Sequence, residues 1–419
     1  MEMRVSDIDL GALTQGRTFY PSPVAWEDEV LYFLMLDRYS DGRENDYRDN
    51  TGTLVTTGTT PLFQPGDRGN ATTTTNDRQQ WVEAGNRFVG GTLRGLKSKI
   101  GYLQRLGITA IWVSPIFKQV PAQQSYHGYG IQNFLDVDPR FGTRDNLVSL
   151  VRTAHEHGLR VILDIILNHV GDVFAYRSEH MPCDIRDDQG NVVGREACWQ
   201  VDGTVYPVQG YRDAAGNPTL PFAPVGAAGL PDAAIWPAEL QPPETFSRRG
   251  KIRNWDFDPE FREGDFETLK DIRQGTGPVD DYYPSDAFRA LCRCFQFWIA
   301  LADIDGFRVD TVKHMDDGAS RLFTSVIHEF AQPLGKENFY LIGEITGINA
   351  ALGINDIQDK IEYLVTLLLD SGVLCFDITQ RLSTGFKTFE KGLSDERRAE
   401  IGVYNIDDST TSESNKSQT

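Results

Sequence analysis

The sequence is poor in positive charge and in cysteine, and it contains no long apolar run. Lysine and arginine total 41 against 60 aspartates and glutamates, a formal net charge of −19. A chain of that sign repels nucleic acid and anionic membrane, so neither is expected as a partner, whereas a neutral or cationic ligand or a divalent metal suits it. No apolar stretch approaches the ~18–20 residues of a membrane span, and the opening MEMRVSDIDLGALTQG lacks the basic stretch and apolar core of a secretory signal. The expected location on that basis is cytoplasmic. The five cysteines, Cys183, Cys198, Cys292, Cys294 and Cys375, are odd in number and show no CxxC spacing, which argues against a disulfide framework and a zinc cluster. Cys292 and Cys294 fall in a helical run and read as small core residues. Cys183 and Cys198 flank a polar DDQGN turn, which allows them to pair under oxidising conditions, but free thiols are the expectation there too.

What is present is an alternation of element types without any sequence repeat. VLYFLMLDRYSDG (30–42) opens as a buried strand, TLRGLKSKIGYLQRLG (92–107) has helical spacing with Gly107 as its stop, and ITAIWVSPIF (108–117) follows as a strand. RDNLVSLVRTAHEHG (144–158) and LRVILDIILNHV (159–170) repeat that helix–strand order. Further on come helices near 285–302, 316–332 and 356–370 and strands ending at Asp310, at Glu344 and in VLCFDIT (373–379). Six strands alternating with helices of these lengths imply parallel βαβ units and an α/β fold. Between 171 and 284 the alternation stops and Pro, Gly, Asp and Asn become frequent, too long a stretch for a bare loop, so an inserted subdomain is expected. The expected domains are an N-terminal arm (1–25), barrel segments at 26–170 and 285–400, the insertion between them, and a polar tail (401–419).

Asp310, in GFRVDTVKH, and Glu344, in FYLIGEI, each close an apolar strand. In a parallel barrel the carboxyl ends of the strands meet at one mouth, so two acids so placed can flank a single substrate bond, at about 5–5.5 Å from each other in a retaining glycosidase. Arg308 lies two residues before Asp310 and leaves the strand on the same face, where it keeps Asp310 ionised. Glu344, ending a very apolar strand, is the acid whose pKa burial raises.

LDIILNHV, GFRVDTVKH and LIGEI, in that order, resemble three signature segments of the α-amylase family of glycoside hydrolases. SYHGYGIQNF (125–134) is similar to a fourth family segment, and GDFETLKD (264–271) resembles a weaker one. The resemblance implies a TIM (β/α)8-type barrel with its extra subdomain after the third strand. It implies Asp310 as nucleophile, Glu344 as acid/base and Arg308 as the residue orienting the nucleophile. His127, Tyr129 and His169 match sugar-contacting positions, and Lys313 and His314 match positions on the leaving-group side. Asn168 and the backbone of His314 match positions that help bind Ca2+, which takes oxygen ligands and here requires an acid from 171–284. Asp37, Asp41, Asn45 and Asp46 are candidates for a second Ca2+ cage. The implied substrate is an α-glucan or maltooligosaccharide, and the oligomeric state is left open.

One family segment, an aromatic-Val-Asp-Asn-His-Asp type stretch on the seventh strand, has no counterpart, and neither do the last two βα units. The expectation is therefore a barrel incomplete at its C-terminus, with about six βα units, and little or no turnover. Gly130 stands where an aromatic often follows HGY, which removes a stacking platform. Transglycosylation, or a catalytically dead glucan- or protein-binding homologue, are the alternatives to α-glucan hydrolysis.

Overall fold

The computed structural model describes residues 2–45, 47–59, 85–226 and 230–345 and the backbone of 373–376. The helix expected at 356–370 and the tail at 401–419 lie outside these residues.

Six strands form one sheet: β1 (Leu31–Leu34), β2 (Ala110–Val113), β3 (Arg160–Ile166), β4 (Gly306–Asp310), β5 (Tyr340–Glu344) and β6 (Val373–Phe376). They lie in chain order and every pairing is parallel. Parallel strands in chain order are the arrangement that successive staves of a (β/α) barrel have. Among the described residues β1 and β6 are the two edges, and no pairing joins them.

Alternate side chains along each strand enter separate apolar clusters. Ile111, Val113, Val161, Leu163, Phe307 and Leu341 join the large core under the helices, whereas Ala110, Ile162, Tyr340 and Ile342 pack with Trp26 on the opposite face. That period of two fixes the site, because Asp164, Arg308, Asp310 and Glu344 carry the parity of the second face. Gly306 is needed on it: a Cβ there would lie 2.7 Å from the Tyr340 carbonyl oxygen.

The helices cover the other face, with α3 (Arg144–Glu156), α4 (Asp286–Ala302) and α5 (Asp317–Ala331) packed side by side. α4 starts where the Ser285 hydroxyl accepts the Phe288 N–H at 3.0 Å. It buries Cys292 and Cys294 as free thiols, as the sequence implied. The single helix read at 92–107 is two, α1 (Leu93–Ser98) and α2 (Ile100–Arg105). The cause is Asn50, whose amide donates to the Lys97 carbonyl at 2.9 Å and accepts the Gly101 N–H at 2.9 Å. It occupies the place of the i→i−4 bond between those residues and breaks the ladder there.

Between β3 and α4 the chain makes short antiparallel pairs, among them 169–170 with 270–271, 174–176 with 208–211, and 183–186 with 192–196. The last is a hairpin over the DDQGN turn, and it overturns the free-thiol expectation: Cys183 and Cys198 are disulfide-bonded, with Cα atoms 6.1 Å apart. The turn folds the two strands antiparallel and sets Cys183 opposite Glu196, two residues from Cys198. Sequence distance alone did not reveal that proximity.

Candidate active site

Asp310 and Glu344 stand at the carboxyl ends of neighbouring parallel strands, and one guanidinium holds both. Arg308 Nη1 is 2.7 Å from Asp310 Oδ1, and Nη2 is 2.9 Å from Glu344 Oε2. The pair expected to face each other at the mouth is therefore held by one guanidinium. Burial is the first cause that lifts both acids above their ordinary values, and Arg308 opposes it in each. The shared hold needs a sharp exit from β4, and Thr311, a β-branched residue at φ 52°, supplies it in the left-handed region. Its N–H donates to Glu344 Oε2 at 3.2 Å, so this strained turn ties β4 to β5.

Burial favours the neutral form of each histidine around the pair. His127 Nδ1 accepts the Tyr129 N–H at 3.1 Å, which leaves the ring proton on Nε2, and burial lowers its pKa. His169 is 1% exposed, neither ring nitrogen has a hydrogen-bond partner, and burial pushes its pKa down to about 3. Its Nε2 lies 4.0 Å from Asp310 Oδ2. Two buried orphan nitrogens beside a carboxylate are what a polar ligand would satisfy. His314 donates Nδ1–H to the Phe261 carbonyl at 2.6 Å, and its pKa falls to about 4, chiefly through burial. Lys313 Nζ is 3.3 Å from Asp256 Oδ1, a partner from the 171–284 stretch.

Sequence reasoning overlooked Asp164 and Trp112. Asp164 is fully buried on β3, with Oδ1 3.0 Å from Arg308 Nη1, and Oδ2 accepting Trp112 Nε1–H at 3.0 Å and Tyr129 O–H at 3.1 Å. The signal was a lone acid inside the apolar run VILDIIL. Gly130 proves to be an interior position. A Cβ there would lie 2.7 Å from the Ser125 hydroxyl oxygen, so its lack of a side chain reflects packing and does not mark a lost platform.

Among the described residues no three His, Cys, Asp or Glu side chains gather as a metal site. Asp37 is spent on the backbone, accepting the N–H groups of Val89 at 2.9 Å and Gly90 at 3.1 Å. Asp41 binds the Arg43 N–H and guanidinium, and Asn45 donates to the Gly58 carbonyl. These three do not converge as the second cage requires, and Asp46 lies outside the described residues. The first candidate set fares differently. Asn168 Oδ1 accepts from Gln274 at 3.2 Å, and its backbone oxygen accepts the Ile272 N–H. The neighbouring Asp271 is 2% exposed with Oδ1 unpartnered, and burial, with Asp265, Asp316 and Glu263 nearby, drives its pKa well up. An orphaned buried carboxylate oxygen among other acids fits a cation that prefers oxygen.

A parallel sheet in chain order, with acids gathered at its carboxyl ends, is the architecture of TIM-barrel glycosidases. Residues 38–190 match the family model described as the α-amylase catalytic domain. An α-amylase of Streptomyces lividans is 29% identical over 337 residues, covering 76% of this chain and 32% of that protein. A cyclomaltodextrin glucanotransferase of Klebsiella oxytoca is 25% identical over 354 residues, covering 82% of this chain and 42% of that protein. The chain thus spans less than half the length of these two relatives. Among solved structures, an Anoxybacillus α-amylase superposes with TM-score 0.50 at 22% identity, over 88% of this chain and 60% of that one. A cyclomaltodextrin glucanotransferase with a three-domain ABC distribution gives TM-score 0.50 at 22% identity, over 87% of this chain and 61% of that one. Over these stretches the chain is similar to the α-amylase family of glycoside hydrolases.

Proposed function

We propose that the protein hydrolyses α-glucosidic bonds in α-glucans by a retaining double displacement, with Asp310 as nucleophile and Glu344 as acid/base. The observation that carries this reading is the single guanidinium shared by the carboxyls of Asp310 and Glu344 at the ends of neighbouring strands. In that arrangement Glu344 gives its proton to the glycosidic oxygen as the C–O bond breaks, and the Asp310 carboxylate bonds to the anomeric carbon. Water, losing a proton to the Glu344 carboxylate, then displaces Asp310 and restores both groups. Neutral His127 and His169 donate hydrogen bonds to sugar hydroxyls, which a charged imidazolium in a buried site would do only at a desolvation cost. The stretch 171–284 acts as a subdomain walling the leaving-group side, where Lys313 meets Asp256. The substrate class is supported by the relatives, which are named as an α-amylase and a cyclomaltodextrin glucanotransferase. The second of these also favours a transglycosylase variant, in which a sugar hydroxyl takes the place of water.

Asn168, the His314 backbone oxygen and Asp271, with its unpartnered Oδ1, would hold a Ca2+ ion. The ion would supply positive charge that keeps Asp271 ionised, and the protein's own part is to cross-link the ends of β3 and β4 to residues 265–272.

Incubation with maltooligosaccharide of the 419-residue chain, expected to turn over little, and of a version supplied with the missing seventh-strand segment and last βα units, followed by reducing-end release, tests the reading. Release that Asp310→Asn abolishes supports it. Tight glucan binding without release would favour the non-catalytic homologue, and neither binding nor release would overturn both.

A further inference from the structure

The segment 253–262, between β3 and α4, is tied at three points to the residues that follow Asp310. Asp256 Oδ1 lies 3.3 Å from Lys313 Nζ, the Phe261 carbonyl accepts His314 Nδ1–H at 2.6 Å, and Arg262 Nη1 is 2.8 Å from Asp316 Oδ1. The loop at the head of this segment is shaped from within. Buried Glu260 accepts the N–H groups of Arg253 and Asn254 through one oxygen, and Asn254 Oδ1 accepts the Asp256 N–H at 3.1 Å. These bonds fix the backbone on both sides of Trp255 and hold the Asp256 side chain towards Lys313.

Lys313 belongs to the 312–314 turn, which lies on the end of β5: a Cβ on Gly343, the residue before Glu344, would come within 3.1 Å of Val312 Cγ2. With Glu344 as the proton donor to the glycosidic oxygen, the departing sugar leaves on this side of the pair. An aromatic row runs the same way. Phe266 lies parallel to His169 with 5.6 Å between ring centres, and Trp255 meets Phe266 at 4.7 Å. His169 is itself 4.0 Å from Asp310. Trp255 and Asp256 therefore stand at the outer end of a path that starts beside the nucleophile, and both are only partly buried.

We propose that Asp256 is a specificity-determining residue of the leaving-group side: with Lys313 it forms a carboxylate–ammonium pair that takes adjacent hydroxyls of the departing sugar, so that bonds to a further sugar are preferred over bonds to a non-sugar aglycone. The inference rests on the reading of Glu344 as acid/base. An ammonium only donates and a carboxylate only accepts, whereas a sugar hydroxyl does both. Two such groups 3.3 Å apart match hydroxyls on neighbouring carbons, one accepting from Lys313 and the other donating to Asp256. Hydrogen bonds to charged groups are about twice as strong as neutral ones, and a site built to make them discriminates against a ligand that lacks the hydroxyl. No bond to the reacting carbon passes through Asp256, so its contribution is to binding.

Asp256→Asn tests this, because it keeps the shape and removes the charge. The affinity of the 419-residue chain for maltoheptaose, read by titration calorimetry, is expected to fall about tenfold, and Asp256→Glu to restore part of it. An affinity that Asp256→Asn leaves unchanged would overturn the proposal.

Turnover separates binding from scaffolding. The loss should appear in KM for maltoheptaose with kcat little changed, whereas a nitrophenyl maltoside, whose leaving group carries no pair of hydroxyls, should be cleaved as by the wild type. Equal losses on both substrates would mean that Asp256 only holds the loop, and would overturn the proposal. A wild type that cleaves neither substrate, yet binds maltoheptaose in a way that depends on Asp256, would instead sink the glycosidase reading and leave Asp256 as part of a glucan seat. Absence of maltoheptaose binding by the wild type would overturn both.

Discussion

Glu344 accepts the backbone N–H of Thr311 at 3.2 Å, at the residue where the chain turns left-handed directly after Asp310. The acid on β5 is thereby fixed to the exit of β4, and the proposed catalytic pair is held by backbone as well as by Arg308. Placement that relies on packed strand ends and a strained turn leaves little freedom in the carboxyl separation.

The pH profile should report this crowding. Burial holds both Asp310 and Glu344 above their usual values. Activity needs Asp310 ionised and Glu344 protonated, so the acid limb of kcat/KM should lie above about 3.9 and the alkaline limb above about 4.3, the reference values of the two acids. Limbs at or below those values would show that the pair is solvated.

Glu344→Gln should cut kcat on maltooligosaccharides by about 10²–10⁴-fold, the usual worth of a general acid. A glucoside with a nitrophenolate leaving group needs no proton for departure, so its first step should be largely spared. Equal loss on both substrates would argue against Glu344 as the proton donor.

On the opposite end of the sheet, Lys336 is fully buried and pairs with Asp303 at 2.8 Å and Asp305 at 2.9 Å. Lys336→Met leaves those carboxylates without their cation and should cost about 3–5 kcal/mol, read as a lower urea midpoint. Asp305 has a lowered pKa, burial being outweighed by Lys336 and other partners. Its contribution is therefore present above an unfolded value of about 3.9 and is lost as pH falls through the folded one, a dependence the variant should lose.

The Cys183–Cys198 bridge closes a loop of sequence separation 15. Replacing both cysteines by serine should cost about 3 kcal/mol. A reducing agent should bring the wild type to the variant's melting temperature, and no change on reduction would mean that the thiols are free in solution.

Calcium should raise the melting temperature, because a ligand bound only by the folded state stabilises it by mass action. Asp271→Asn should abolish that rise while leaving the apo protein at least as stable, since it removes a buried carboxyl with an unpartnered oxygen. A chelator series that leaves the wild-type melt unchanged would refute the assignment.

Much of the candidate site was legible because its residues lie at strand ends. Asp310 and Glu344 each follow an apolar run, and the two-residue period put Arg308 on the face of Asp310 without any tertiary information. The alternation of strands and helices likewise implied a parallel sheet in chain order, and the structure has one. What the sequence could not carry were relations across the chain. Asn50 breaks a helix some fifty residues away, seen in its bonds to Lys97 and Gly101. Asp37 is drawn from a plausible metal cage to the backbone at Val89 and Gly90. Cys183 meets Cys198 only because a hairpin folds between them. Asp164 looked like one more residue in an apolar strand until β4 laid Arg308 beside it. Local periodicity determines which face a side chain occupies, whereas partners distant in sequence are chosen by packing, and packing decided how many carboxyls that guanidinium must hold.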